Sequence, residues 1–460
     1  MEKMGIEQWH MHASSNMKVD SADKTTKNHK VDIPNSNGEQ GKSIPQIEER
    51  PFVYEKMKFS FEAMERTMAE KIIFLPENER AQFILDILED TSVDPNADIR
   101  LIAFQLIKFV PENERASIVL KGLKDTHRVL SVRALQNIHY LPIDQRAPFV
   151  VQYLEKANDY WVQENAIKQM QHLPEKDRVE IMRKGLENPH ISHALIIKQM
   201  WTIPTDERTP FLQKGLEDPD LETRSGTIRE IYYAPIEKRE GLFNKCFEDS
   251  DPKIRRLAVE YGSYLLPYKE RVFLLRKGLR DKDISVRESA IRRIDRVLEE
   301  EQAELVRLGL NNQDVSIRRL AFKAIELVPI ENRLSLMRIA SSDPNPDIRF
   351  DVIRGVELLE EKDRALFIQE VFRSSDVRTR LDSLFGINYL QERDCSNVIR
   401  LALEDKDASV RREAILLIRK ASPNEQRALY QKVLDEEKDE DLLSLARRLQ
   451  KNNSSIDSHI

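Results

Sequence analysis

Around Arg287 the apolar residues fall at offsets −1, +3, +4 and +7, filled by Val286, Ala290, Ile291 and Ile294. The spacing returns around Arg255 (Ile254, Ala258, Val259), Arg318 (Ile317, Ala321, Phe322, Ile325) and Arg411 (Val410, Ala414, Ile415, Ile418). Steps of three and four place these side chains on one face of an α-helix, whereas a strand would alternate them. An aspartate stands four residues before the arginine, as at Asp220, Asp251, Asp283, Asp314, Asp376 and Asp407. There it can cap the helix start by accepting backbone N–H groups that lack a partner within the helix. We name this helix B.

A second signal recurs with the same period. It is a proline slot at Pro76, Pro111, Pro142, Pro174, Pro204, Pro235 and Pro267, then Leu298, Pro329, Glu360, Gln391 and Pro423. Four residues on stands an arginine (Arg80, Arg115, Arg146, Arg178, Arg208, Arg239, Arg271, Arg333, Arg364, Arg427), with Gln302 and Cys395 as exceptions. Proline lacks a backbone N–H and suits the first position of a helix, so each slot is expected to open a first helix, A. The pattern predicts an all-α fold, an α-solenoid of about twelve antiparallel helix pairs of about 31 residues, because a lone pair cannot bury its own apolar stripe. By residue, 1–50 is expected to be a disordered polar segment, 51–75 a capping helix, 76–450 the solenoid and 451–460 a disordered tail.

At LEDPDLETRSGTI, FEDSDPKIRRLAV, LRDKDISVRESAI, LNNQDVSIRRLAF and LEDKDASVRREAI the chain resembles HEAT repeats, especially the short phycobilisome-lyase-type HEAT-like class. The likeness covers roughly residues 55 to 450 and carries the motif D-x-x-[VI]-R-x-x-A. It implies a scaffold or adaptor first, with bilin lyases, DNA glycosylases of the alkylation-repair type and deoxyhypusine hydroxylase as the minority functions of such solenoids. The hydroxylase needs His-Glu pairs for its di-iron site, and the chain has none.

Charge and composition narrow the functions further. A net charge of −6 gives no global field toward nucleic acid or anionic lipid. Cys246 and Cys395 are too few for a disulfide framework or a four-thiolate metal site, which points to a reducing, cytoplasmic setting. No apolar run is long enough for a membrane helix, and the start MEKMGIEQWHMHASSN lacks the apolar centre of a signal peptide. Gly-rich phosphate loops, G-x-S-x-G, H-E-x-x-H and paired CxxC motifs are missing too, so no cofactor or catalytic residue is expected.

Two features remain as candidates for function. The arginines that anchor helix B (Arg224, Arg255, Arg287, Arg318, Arg349, Arg380, Arg411) are expected to be structural, paired with carboxylates of their own or the next turn. That series is interrupted at Ser131, Gln163 and His193, near His127, His139, His172, His190, Tyr160, Trp161 and Trp201. His139 and His172 sit eight or nine residues along their helices, while His193 and His190 sit at zero and −3, so these four are not expected to share a metal ion. The aromatic residues suit a protein interface, where Trp, Tyr and Arg dominate binding energy. Position +5 of helix B reads Lys168, Lys198, Arg229, Glu260, Arg292, Lys323 and Arg354, a ridge for an acidic peptide or a phosphate backbone, or simply a solvated face.

The expected function is therefore a non-enzymatic adaptor whose protein partner docks on about residues 111 to 233. Tyr160, Trp161, Trp201 and His193 would contact that partner, with Lys168, Lys198 and Arg229 as the charged rim. The alternative is a nucleic-acid-binding solenoid. A packing role for the tryptophans is the competing reading of that cluster.

Overall fold

The computed structural model describes residues 50–89, 98–156 and 159–456. The chain divides into two units, 1–63 and 64–460. Of the first, the described part is a helical stretch, 50–63. The second holds twelve helix pairs, from Glu77–Glu89 with Asp98–Gln105 to Pro423–Glu436 with Glu440–Ile456, and no strand among the described residues. The expected disordered N-terminal segment lies outside the described residues except for Arg50, which starts helix Arg50–Phe74. The last helix carries six residues of the expected tail, 451–456.

Within a repeat, helix A packs against its own helix B. Between repeats, A packs on A and B on B, which gives two stacked layers. The stripe read from the sequence is the seam between them: Val286, Ala290 and Ile294 are fully buried, as are Ile317, Ala321 and Ile325. Burying each larger aliphatic side chain contributes about 1.5–3 kcal/mol. The buried apolar residues form two large clusters, Ile72 to Leu274 and Val259 to Ala446, and Phe247 packs against both. Where helix A meets helix B most closely, only glycine fits. A Cβ on Gly309 would lie 2.7 Å from Ala321 Cβ and 2.7 Å from Ile291 Cδ1.

Helix B keeps α geometry for its first turns. In most repeats it then tightens into a 3-10 turn, such as Leu106–Phe109, Ile231–Tyr233 and Gly386–Tyr389. The turn ends on an extended residue just before the slot; a slot proline enforces this by pushing its predecessor out of the α region, and Leu390 before Gln391 adopts the same geometry without one. The structure moves proline one place from the expected first helical position. Pro174, Pro204, Pro235, Pro267 and Pro329 are N-cap residues with extended ψ. Pro423 is the one that sits inside its helix, behind Ser422 as N-cap. The slot residue of the last repeat is consequently Gln426, which donates to the carbonyls of Ala421 and Arg419, and Arg427 falls one place late.

Candidate functional site

Two columns of arginines cross the repeats, one at each end of the helix pairs. At the A-to-B turn, Arg255 Nε donates to Asp281 Oδ2 at 2.7 Å and Nη2 to Asp281 Oδ1 at 3.0 Å. Its Nη1 donates to the carbonyls of Asp249 and Ser250 in its own turn. Arg224–Asp249, Arg318–Asp343 and Arg380–Asp405 repeat this forked geometry, and Arg411 uses Glu437. Where the residue six before the next anchor is Asn312 or Ser374, the arginine reaches the cap position instead, pairing Arg287 with Asp314 and Arg349 with Asp376. The carboxylate thus comes from the following repeat and the carbonyls from the arginine's own. The expected caps form at Asp220, Asp251, Asp283, Asp376 and Asp407, whereas Asp314 accepts no capping bond. The paired carboxylates hold Arg255, Arg380 and Arg411 above the usual arginine range, and Arg411 holds Glu437 below the usual carboxylate range.

The interruption in residue type is not an interruption in the column. Beside Ser131, Arg128 takes over and pairs with Asp159, which also caps its own helix by accepting from Trp161 N and Val162 N. Gln163 bridges to the next turn, donating to His190 O at 2.6 Å and accepting from Ser192 N. His193 Nδ1 meets the buried Asp218 Oδ2 at 2.5 Å. Each step changes its chemistry and keeps its connection.

The second column lies at the B-to-A turn and is built from the arginines behind the proline slot. Arg239 Nε donates to Ala234 O, Nη2 to Tyr232 O, and Nη1 crosses to Leu265 O of the next repeat. Arg80, Arg146, Arg208, Arg271 and Arg333 make the same three contacts. A cation placed on the last carbonyls of a helix satisfies acceptors the helix leaves open and opposes its dipole. Tyrosine rings lie against several of these guanidinium groups, 4.8 Å for Arg115 and Tyr140 and 4.4 Å for Arg271 and Tyr268. Burial pulls Arg208 and Arg239 down from the usual arginine range.

The expected interface residues separate between these two edges. Tyr160 and Trp161 are 55% and 40% exposed at the start of helix B, and the Arg128 guanidinium lies 5.0 Å from the Trp161 ring. Trp201 is 46% exposed at the far end of the next helix B. Ten residues of helical rise, about 15 Å, separate the two tryptophan positions along the B layer. Lys168 is tied to Glu164 at 3.0 Å, and His193 belongs to the column described above. Lys198 and Arg229 are exposed. Beside them, burial pushes Glu230 up to about 7 against the pull of both cations.

His139 and His172 do meet, with ring centroids 5.4 Å apart, away from His193 on Asp218. Burial lowers both imidazoles, aided by Arg146. Among the described residues no three His, Cys, Asp or Glu side chains converge in a way that would hold a metal ion. Cys246 and Cys395 are buried free thiols, and burial pushes Cys246 up to about 12. Among the described residues no helix is long and apolar enough to cross a membrane.

Paired helices stacked in two layers, stitched by arginine columns at both edges, define a HEAT-like α-solenoid. No family model matches the chain, and no curated protein does. Among solved structures it is similar to the karyopherin Kap121p bound to the SUMO protease Ulp1p, with TM-score 0.47 and 11% identity, over 83% of this chain and 51% of that one. It is also similar to Kap95p in a structure with RanGDP, with TM-score 0.41 and 11% identity, over 86% and 64% of the two chains. The chain spans less than two thirds of either karyopherin. The Escherichia coli protein YibA aligns at TM-score 0.28 and 16% identity, over 55% and 94%.

Proposed function

We propose that the chain is a non-enzymatic, cytoplasmic HEAT-like adaptor whose protein partner docks on repeats 2 to 5, about residues 111 to 233. The observation that carries this reading is the exposure of three large aromatic side chains, Tyr160, Trp161 and Trp201, on two successive B helices. Their positions at opposite ends of those helices mean that a partner touching all three crosses the B layer from edge to edge. His193, Lys168, Lys198 and Arg229 lie in the same pair of repeats or the next and form the polar surroundings. The likeness to phycobilisome-lyase-type repeats rests on the helix B motif alone, so a bilin-lyase-like activity stays behind the adaptor reading.

Trp201→Ala in the full chain tests the proposal. An unchanged melting temperature with loss of the protein partner in affinity purification is the expected result. A drop of several degrees with the partner retained would assign Trp201 to packing. A nucleic-acid reading draws on the cations of helix B, and a titration with duplex and single-stranded DNA at increasing salt addresses it. Sub-micromolar binding that weakens steeply with salt would replace the adaptor reading.

A further inference from the structure

Five cations at position +5 of helix B stand one per repeat: Lys198, Arg229, Arg292, Lys323 and Arg354, in repeats 4, 5, 7, 8 and 9. All five are exposed, and among the described residues none has a carboxylate within ion-pair distance. Some neighbouring cations of the B layer differ: Lys168 is held by Glu164, and Arg256 and Arg293 by Glu260. Repeat 6 places Glu260 in the row, but those two arginines, at 3.0 and 3.6 Å, offset its charge. The row is positive along its whole length without being regular in residue type.

We infer that this row binds an extended acidic polypeptide segment with a carboxylate at every third residue, laid across the B helices of repeats 4 to 9. The inference deepens the adaptor reading and takes from it only that the occupant is a polypeptide. Packed helices stand about 8–10 Å apart, so successive cations advance by that distance. A polyproline II chain has three residues per turn and rises about 3.1 Å per residue, so every third side chain returns to one face after about 9.3 Å. Carboxylates at that interval meet one cation per repeat.

The flanks of the row set its width. At position +8 stand Trp201 and Tyr232 in repeats 4 and 5, then Asp295, Glu326 and Glu357 in repeats 7 to 9, all exposed. Acidic side chains beside a single file of cations accept one line of carboxylates and repel the two phosphate rows of a duplex. Between Lys323 and Arg354 lies a recess of about 410 Å³, lined also by Phe322 and Tyr389 and by the charged Arg319, Asp351 and Glu357. The two aromatic side chains offer a contact for a proline or aliphatic side chain placed between two acids of the segment, and Asp351 and Glu357 disfavour a third acid there. The raised Glu230 is partly neutral near pH 7, which leaves Lys198 and Arg229 less compensated at that end.

The test is fluorescence anisotropy of the full chain with a labelled peptide of six Glu-Pro-Ala triplets. Its control is a peptide of the same composition with the six glutamates contiguous, and a third probe is oligo-dT of equal length. The triplet peptide is expected to bind at least about tenfold tighter than either control. Arg292→Glu with Lys323→Glu is expected to weaken it by about tenfold or more without a change in melting. Glu260→Gln is expected to tighten it by a few-fold, a gain that misfolding cannot mimic. Equal binding of the two peptides would overturn the inference, as would tighter binding of oligo-dT or indifference to all three substitutions. If a protein partner depends on Trp201 while the triplet peptide fails, the inference falls and the adaptor reading stands. If the triplet peptide binds as expected while Trp201→Ala retains its partner, the inference stands and the Trp201 anchor falls.

Discussion

The two edges of the solenoid use the same residue at the same period for different ends. At the A-to-B turn Arg255 forks onto the carboxylate of Asp281, and both side chains are at least nine-tenths buried. At the B-to-A turn Arg239 bonds only carbonyl oxygens, from its own repeat and the next. One column closes its charges internally, and the other spreads a positive charge over helix ends. What an arginine contributes therefore depends on what accepts its protons. The partner also fixes how stability responds to substitution and acid.

Breaking the carboxylate column has the largest expected effect. Arg255→Ala leaves Asp281 buried without its cation, and such a loss costs about 3–5 kcal/mol. Chemical denaturation of the full chain should read it, and a change under about 1 kcal/mol would deny the pair its structural role. Arg239→Ala on the opposite edge should cost less, about 1–2 kcal/mol, because the released carbonyls sit at helix ends that water can reach. If both substitutions cost the same, the partner chemistry does not govern the difference. Acid separates the edges further. Glu437 is held low by Arg411, so its contribution is present above the ordinary glutamate range and is lost as pH falls through its depressed folded value. Among the described residues the carbonyl-bonded column has one ion pair, Arg115 with the exposed Glu112, so it has little to lose in that window.

Glu230 gives the smallest effect and the opposite sign. Burial raises its folded pKa to about 7, so the folded state holds this proton more firmly than the unfolded chain does. The resulting stabilisation is full below the ordinary glutamate range and is lost as pH rises to about 7. Glu230→Gln should therefore stabilise the protein by about 1 kcal/mol above neutrality and change little near pH 4, a partly exposed group being worth less than its full shift. Melting curves at both pH values would show it, and a loss of stability at pH 8 would contradict the assignment.

Much of this molecule is legible in its sequence because a period repeats the same physical demand twelve times. The apolar offsets of helix B, the capping aspartates and the proline slot all mark real boundaries. Other features are set between repeats, and spacing along one chain cannot locate them. Nothing local says that Arg224 pairs with Asp249 rather than with Asp218, since both lie at helical distances from a cap. Arg128 replaces the missing anchor beside Ser131 from three residues away, so the gap in the motif looked like a gap in the structure. A shift of one residue at Ser422 hid Gln426 behind Arg427. In the candidate site, the exposure of Tyr160, Trp161 and Trp201 agrees with their place off the apolar stripe, and the Lys168–Glu164 pair is an i,i+4 contact within one helix, but the pairing of His193 with Asp218 is set by the next repeat. The signal available for the +5 row was the absence of an acid at i−4 of Lys198, Arg229, Lys323 and Arg354, against its presence at Lys168; Arg292 has Glu288 at i−4, so spacing alone does not reveal that this arginine stays outside ion-pair distance.

The central claim is that paired arginines hold this solenoid together and unpaired cations of the B layer bind its partner. Denaturation and triplet-peptide anisotropy, measured on the same preparations of Arg255→Ala and of the Arg292→Glu, Lys323→Glu double variant, test it directly. The account predicts a crossed result: Arg255→Ala loses stability and keeps peptide affinity under conditions where it stays folded, while the double variant keeps stability and loses affinity. Loss of affinity in the folded Arg255→Ala protein, or loss of stability in the double variant, would contradict it.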